Sequence, residues 1–458
     1  MRLPHRTELA AMLRLALPVV IAQVGLMAMG VVDTLMVGRV SAVALAAVAL
    51  GNLYFITLVV PASGTLMVLD PVIAQAVGAK DSEGIARGMQ RGFVLAVVLG
   101  AVISLLLLPV RPMLVALHQP PVLVPLASSY VLISILGVVP FLAFVVLRQS
   151  LQALGEMRVL LGVIVVANVA NAFLNWVFVY GHLGSASMGA PGSAWATLAS
   201  RWLMLFLLVV LGWRKLEPSL VPWRAETFHL APLVAMLRLG LPIGLMQALE
   251  FGAFSAIGVL MGVLGTVEMA AHQIAINLAS LTFMVPLGVG AAAAVRVGHA
   301  AGAGDSEGAR ESARAALVCG VGFMACTGIV LLLAPHAIAA RYTQELPVAA
   351  LAATLIPIAG MFQVFDGIQA VCAGVLRGLG DTRAPFLINL AGFWLAGFPV
   401  SIALGFHTQL GAVGLWWGFV AGLGAVAALL LLRMRNRLRG AIERTHVEED
   451  TFHFATDP

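Results

Sequence analysis

Charge is scarce in this sequence: Asp, Glu, Lys and Arg together make up 10% of its 458 residues, and only two of the cations, Lys80 and Lys215, are lysines. A typical soluble domain carries about 25% charged residues. The formal net charge of +5 and the pI near 9.6 therefore do not describe a basic face for nucleic acid. The basic residues are scattered between apolar runs, the pattern that orients a membrane protein. Cysteine is also rare: Cys319, Cys326 and Cys372 lie in apolar runs without metal-type spacing. They are expected to be small core residues, neither disulfides nor ligands. No Walker A lysine, His-Glu-x-x-His or strand-borne Gly-x-Ser-x-Gly occurs, so no enzyme is expected.

What the chain has is apolar length, with 61% hydrophobic residues and a mean hydropathy of +1.01. Twelve runs could cross a ~30 Å hydrocarbon layer. They fall at roughly 13–37, 46–70, 91–113, 125–147, 159–180, 191–213, 238–262, 274–295, 314–334, 348–371, 385–405 and 411–432. The expected fold is all-α and polytopic, with an N-terminal six-helix bundle over 1–213, a linker over 214–233, a second bundle over 234–437 and a cytoplasmic tail over 438–458.

The two bundles are copies. LRLALP at 13–18 returns as LRLGLP at 237–242, and GAKDSEG at 78–84 as GAGDSEG at 302–308, both at an offset of 224. LGEMR at 154–158 pairs with LGDTR at 379–383 at 225, and GAPG at 189–192 with GAVG at 411–414 at 222. An even number of spans per copy makes the repeat parallel. The recurrence at 237 also marks residues 13–38 as a retained span, although arginines precede the run as they would in a signal peptide. Most Lys and Arg residues fall in alternate loops, which places both termini in the cytoplasm. The tail after Arg433 is expected to be solvated and mobile, without a site.

Ionisable groups inside hydrocarbon cost about 2.5–3.5 kcal/mol each on insertion scales, so those present are candidates for function. Glu250 and Asp366 fall near mid-membrane, counted from Arg238 and Arg377. Asp33 lies further along its run and has a rival explanation as an interfacial acid beside Arg39. Asp70, before Pro71, is expected to be structural, and DSEG at 81–84 and 305–308 to cap helices. Asn168, Asn171 and Asn175 can share one helix face, either as packing residues or as ligands. A carboxylate with an amide oxygen suits a dehydrated Na+, and a buried carboxylate alone suits a proton. His272 and His299 are expected in loops or at an interface.

Val32-Asp33-Thr34-Leu35-Met36-Val37-Gly38, the block Pro71 to Ala79 and Gly378-Leu379-Gly380-Asp381-Thr382-Arg383 give the chain a resemblance to the multidrug and toxic compound extrusion (MATE) transporters over about residues 8–440. Membrane acids at Glu250 and Asp366 resemble the NorM-type branch of that family. The resemblance implies an antiporter of the bacterial inner membrane, acting as a monomer. It would export organic cations and amphipathic drugs in exchange for Na+ or H+ by alternating access, without a cofactor. Asp33 and Asn171 would form one cation site, Glu250 and Asp366 another, either of them able to hold Na+. A lipid or lipid-linked oligosaccharide flippase is the alternative, expected to carry a more cationic cavity. A membrane transferase would need acid clusters at the membrane face, and a passive channel fits tandem halves less well.

Overall fold

The computed structural model describes residues 4–440 and 442–445. Its regular elements are helices, with no strand among the described residues. We label the long ones α1 (Arg6–Gly38), α2 (Ala42–Gly78), α3 (Ser82–Leu107), α4 (Val124–Ile135 and Val138–Ala153), α5 (Met157–Tyr180) and α6 (Ala190–Leu220). The second copy supplies α7 (Leu230–Leu264), α8 (Thr266–Gly302), α9 (Ser306–Leu333), α10 (Leu346–Gly378), α11 (Arg383–Phe406) and α12 (Gly411–Arg439). Eleven are individually long and apolar enough to span a membrane, and the two parts of α4, bent by 50°, bring the count among the described residues to twelve. Large apolar side chains such as Leu105, Val169, Val259 and Leu395 are exposed on the helix faces. Water would penalise that surface and lipid does not.

Several helices begin or end outside the expected apolar runs. The first starts at Arg6, and the third spans Ser82–Leu107, with a short helix Val110–Ala116 after it. Arg87, Arg91 and Arg148, at or beyond the edges of these runs, therefore lie on helices, and Arg91 is buried. Hydropathy marks only the part of a helix that lipid touches.

The repeat is visible in the backbone. Asp81 caps α3 by accepting a 2.8 Å hydrogen bond from Gly84 N, and Asp305 caps α9 by accepting one of 2.8 Å from Gly308 N. Left-handed residues recur at matched positions: Lys80 (φ 57°) with Gly304 (71°), Gly155 (77°) with Gly380 (75°), and Gly189 (57°) with Gly411 (51°). The short helix Val110–Ala116 also has its counterpart, Pro335–Tyr342, at the 225 offset.

The chain forms two compact units. One contains the described residues of Met1–Val24, Leu245–Ala301 and Asp305–Ile442, and the other those of Gly25–Gly244, Gly302–Gly304 and Glu443–Pro458. In the first, α10 packs against α9 and α12, and Phe398–Phe406 of α11 against α12. Gly328 and Gly360 allow the α9 and α10 backbones to touch, since a Cβ on Gly328 would stand 2.7 Å from the Gly360 carbonyl oxygen. Phe362 and Phe419 stack at 5.4 Å, with Phe254 edge-on to both. Met12 and Ala16 belong to this core, and Val20 lies where a Cβ on Gly288 would strike it.

In the other unit, α6 packs against α5 and both parts of α4, while α2 meets the first part of α4 and α3 the second. Gly240 and Gly244 of α7 lie against the carbonyls of Thr65 and Pro61, where no side chain would fit. The linker segment is ordered by one side chain, the buried Gln90. Its Nε2 donates to the carbonyls of Ser219 and Pro222, both at 3.1 Å, and its Oε1 accepts from Arg224 N at 3.0 Å and Thr227 Oγ1 at 2.7 Å. Asp70 is fully buried and accepts a 2.9 Å bond from Gln149.

Three expectations need correction. Cys326 is exposed, because its helix turns that face away from the core. His272 lies on α8 and is buried, with its ring 5.7 Å from that of Trp416. The tail is attached as far as it is described: Arg444 reaches Asp81 Oδ2 at 2.6 Å, Thr445 N donates to Gln75 Oε1 at 2.7 Å, and Arg433 pairs with Asp381 at 2.8 Å. The acids Glu448, Glu449 and Asp450 lie outside the described residues.

Candidate functional site

Asp33 occupies the last turns of α1, yet only 7% of it is exposed. Helices α5 and α6 enclose it. Asn175 Nδ2 donates to Asp33 Oδ1 at 2.7 Å, and Thr197 Oγ1 donates to Oδ2 at 2.7 Å. Two donors on a carboxylate are what permit a buried negative charge. Asp33 is thus a buried acid whose hydrogen bonds come from Asn175 and Thr197.

Of the three asparagines, the structure separates one from the others. Asn168 donates to the Gly25 carbonyl at 3.0 Å and to that of Ile164 at 2.9 Å, so it joins helices. Asn171 and Asn175 are fully buried beside Asp33. Asn175 also donates to the backbone carbonyl of Asn171 at 3.0 Å, whereas the Asn171 side chain faces the Asp33 carboxylate without meeting hydrogen-bond geometry. The side-chain oxygens of Asn171 and Asn175 are buried and without a donor. A carboxylate beside two orphaned amide oxygens is an all-oxygen ligand set of the kind hard cations take.

Thr197 and, one turn further along α6, Arg201 are functional candidates that the sequence does not single out. Their i, i+4 spacing on a spanning helix was the available signal. Arg201 lies close enough to Asp33 and Tyr130 for their charges to interact. Its guanidinium carbon stands 4.4 Å from the Phe55 ring centroid and 5.5 Å from that of Phe141.

The other unit holds the remaining acids. Glu250 on α7 and Asp366 on α10 are near enough to feel each other's charge, and Gln369 of α10 lies beside Glu250. Gln369 Nε2 donates to Asn389 Oδ1 at 2.9 Å, and Asn389 is anchored by its own 2.8 Å bond to the Pro385 carbonyl. The Asp366 Oδ1 atom is buried and unpartnered. Residues Leu390–Gly397 of α11 are π-helical, a widening common at functional sites, and Trp394 within them donates to the Leu249 carbonyl at 3.1 Å, next to Glu250. One turn of α10 before Asp366, Gln363 accepts from Thr282 at 2.7 Å and leaves its buried amide nitrogen unpartnered. Two neighbouring buried carboxylates repel when both are ionised, and a proton or a cation relieves that repulsion. No cluster of three or more His, Cys, Asp or Glu residues able to hold a metal ion occurs among the described residues.

Each unit thus carries one polar site in an apolar, multi-pass membrane protein. The MatE family profile matches residues 18–177 and 242–403. The multidrug resistance protein NorM of Burkholderia vietnamiensis is 39% identical over 94% of both chains. The multidrug resistance protein MdtK of Edwardsiella ictaluri is 34% identical over 93% of this chain and 95% of its own. Among solved structures, the eukaryotic MATE transporter AtDTX14 superposes with a TM-score of 0.86 at 23% identity, covering 96% of this chain and 99% of that one. An outward-facing MATE transporter of the MOP superfamily matches at 0.85 and 20% identity over 94% and 96%. These two show a shared fold, and the family match together with the identity to NorM over nearly the whole length shows that the chain belongs to the MATE transporter family.

Proposed function

We propose that the protein is a secondary antiporter that exports amphipathic organic cations, drugs among them, in exchange for Na+ or H+ by alternating access. The observation that carries this reading is the Asp33 carboxylate enclosed with the orphaned oxygens of Asn171 and Asn175. Asp33, Asn171, Asn175 and Thr197 would hold the coupling ion in one unit. Glu250 and Asp366 would bind a proton, Na+ or the cationic group of the drug in the other.

Coupling follows from competition. A carboxylate in a low-dielectric setting attracts either an ion or an organic cation strongly, and binding one weakens its attraction for the other. Transport also requires that the two ligands favour different conformations, since a ligand with equal affinity for both shifts neither. The protein would act as a monomer in the bacterial inner membrane with both termini in the cytoplasm and no cofactor.

The test is ethidium efflux from proteoliposomes with Na+ and H+ gradients imposed separately. Efflux driven by one gradient and collapsed by its ionophore identifies antiport and the coupling ion. Efflux insensitive to both gradients would refute the reading.

A further inference from the structure

Arg201 is a spanning-segment cation to which the antiport reading gives no task. It sits in the middle of α6, eleven residues past Ala190, which is about 16 Å along the helix. Asp33 is near enough for its charge to be felt, but no ion pair holds the guanidinium among the described residues, and the two Asp33 oxygens accept hydrogen bonds from Asn175 and Thr197. Its Nη1 atom is buried without an acceptor. The residue nevertheless keeps part of its surface accessible.

Its surroundings are built around it. Phe55 and Phe141 offer their ring faces to the guanidinium at 4.4 and 5.5 Å, an arrangement that orients a cation while leaving its N–H groups free for an acceptor. The break in α4 lies beside it: a Cβ on Gly137 would stand 3.1 Å from Arg201 Cδ and 3.2 Å from Nη1, so the missing side chain makes room for the guanidinium. Tyr130, on the other part of α4, shares the same electrostatic neighbourhood. An oriented fork of N–H donors among aromatic walls and short of acceptors matches a planar two-oxygen anion better than a spherical ion.

We propose that Arg201 is the recognition residue for a carboxylate on an otherwise cationic, aromatic ligand. The unit that holds Asp33 then presents a zwitterion with both complementary charges, a fixed guanidinium for its anion and, for its cation, a carboxylate over which it competes with the coupling ion. The proposal rests on the transport reading and deepens it: within that reading it assigns the residue that discriminates a carboxylate-bearing ligand from a simple cation.

Rhodamine B and its ethyl ester form a matched pair, the same aromatic cation with and without a free carboxylate. Binding of each dye to the full-length protein in detergent is read by fluorescence polarisation, and export by efflux from proteoliposomes. The expected result is that Arg201→Gln weakens rhodamine B binding at least tenfold while changing the ester less than twofold. Arg201→Lys, a point charge without the fork, falls between. Gly137→Ala, which crowds Nη1 but keeps the charge, shifts rhodamine B in the same direction and covers the case in which Arg201→Gln fails to fold. Parallel losses for both dyes, an unchanged affinity for rhodamine B, or a wild-type protein that fails to bind rhodamine B overturns the proposal. Discriminating binding without export of either dye would instead count against the transport reading.

Discussion

An ionised carboxylate within a spanning helix persists only while donors or a cation satisfy it, and the two sites meet that demand differently. Asp33 is already satisfied by Asn175 and Thr197. Removing one donor should therefore change its affinity for an ion before it destroys the fold. Thr197→Val is expected to keep expression and shift the apparent affinity for the coupling ion by roughly tenfold, the size of about one charged-acceptor hydrogen bond: upward for H+, because the hydroxyl favours the ionised carboxylate, and downward for Na+, which loses an oxygen ligand; cation-dependent efflux measures it. Asp33→Asn is expected to abolish coupling. Glu250 and Asp366 lack such a donor set, so Glu250→Gln or Asp366→Asn should insert normally and abolish efflux. A well-expressed double variant with full efflux would exclude them from the mechanism. The acids could be found in the sequence because charge in an apolar run is conspicuous. Tyr130 could not, and Thr197 only through its spacing from Arg201, because a hydroxyl in a spanning helix is cheap and common, and only the fold brings these two beside Asp33.

Elements are fixed by contacts that no single helix announces. The apolar runs and the DSEG caps were legible because hydropathy and capping are local properties. The bend in α4 was not, since its space is filled by a side chain from α6. The order of the linker was equally hidden, because it depends on Gln90 reaching some 130 residues along the chain. Gln90→Leu would remove these bonds and strand buried carbonyls, at a cost of about 2–4 kcal/mol if a few groups lose partners. Thermal unfolding in detergent should show a midpoint several degrees lower, with transport retained at low temperature. An unchanged midpoint would mean that the segment is held by other contacts. Lys80 offers a gentler test: it adopts the left-handed conformation that its counterpart Gly304 adopts in the second copy. Lys80→Gly should stabilise the protein by up to about 1 kcal/mol, read on the same melting curve.

At the scale of the molecule, the attachment of residues 443–445 carries a defined pH dependence. The Arg444 guanidinium beside Asp81 holds its carboxyl below the ordinary value of 3.8, reinforced by the Gly84 amide. A carboxyl depressed in the folded state contributes its stabilisation above the unfolded value and loses it as pH falls through the folded one. The attachment should therefore be indifferent to pH from neutral down to about 4 and release only in stronger acid. A fluorophore on Thr445→Cys, in a background lacking the three native cysteines, would report the release. Asp81→Asn should give the released signal at neutral pH; the bound signal there would show that the charge pair is dispensable.

The composition of the two units carries a consequence for how such a chain arose. The opening stretch of α1 belongs to the unit made mainly from the second copy, and Leu230–Gly244 of α7 belongs to the unit made from the first. The exchange is reciprocal at nearly the repeat offset, with Val20 at Gly288 answering Gly244 at Pro61 and Thr65. Two identical ancestral polypeptides of six spans each could have traded their leading segments in this way, as swapped homodimers do. Joining them tail to head would then have required only a connector, with neither partner reversed in the membrane. A residue of that origin should survive today: fragments 1–222 and 223–458, inactive and unstable when made alone, should regain efflux when produced in the same cell.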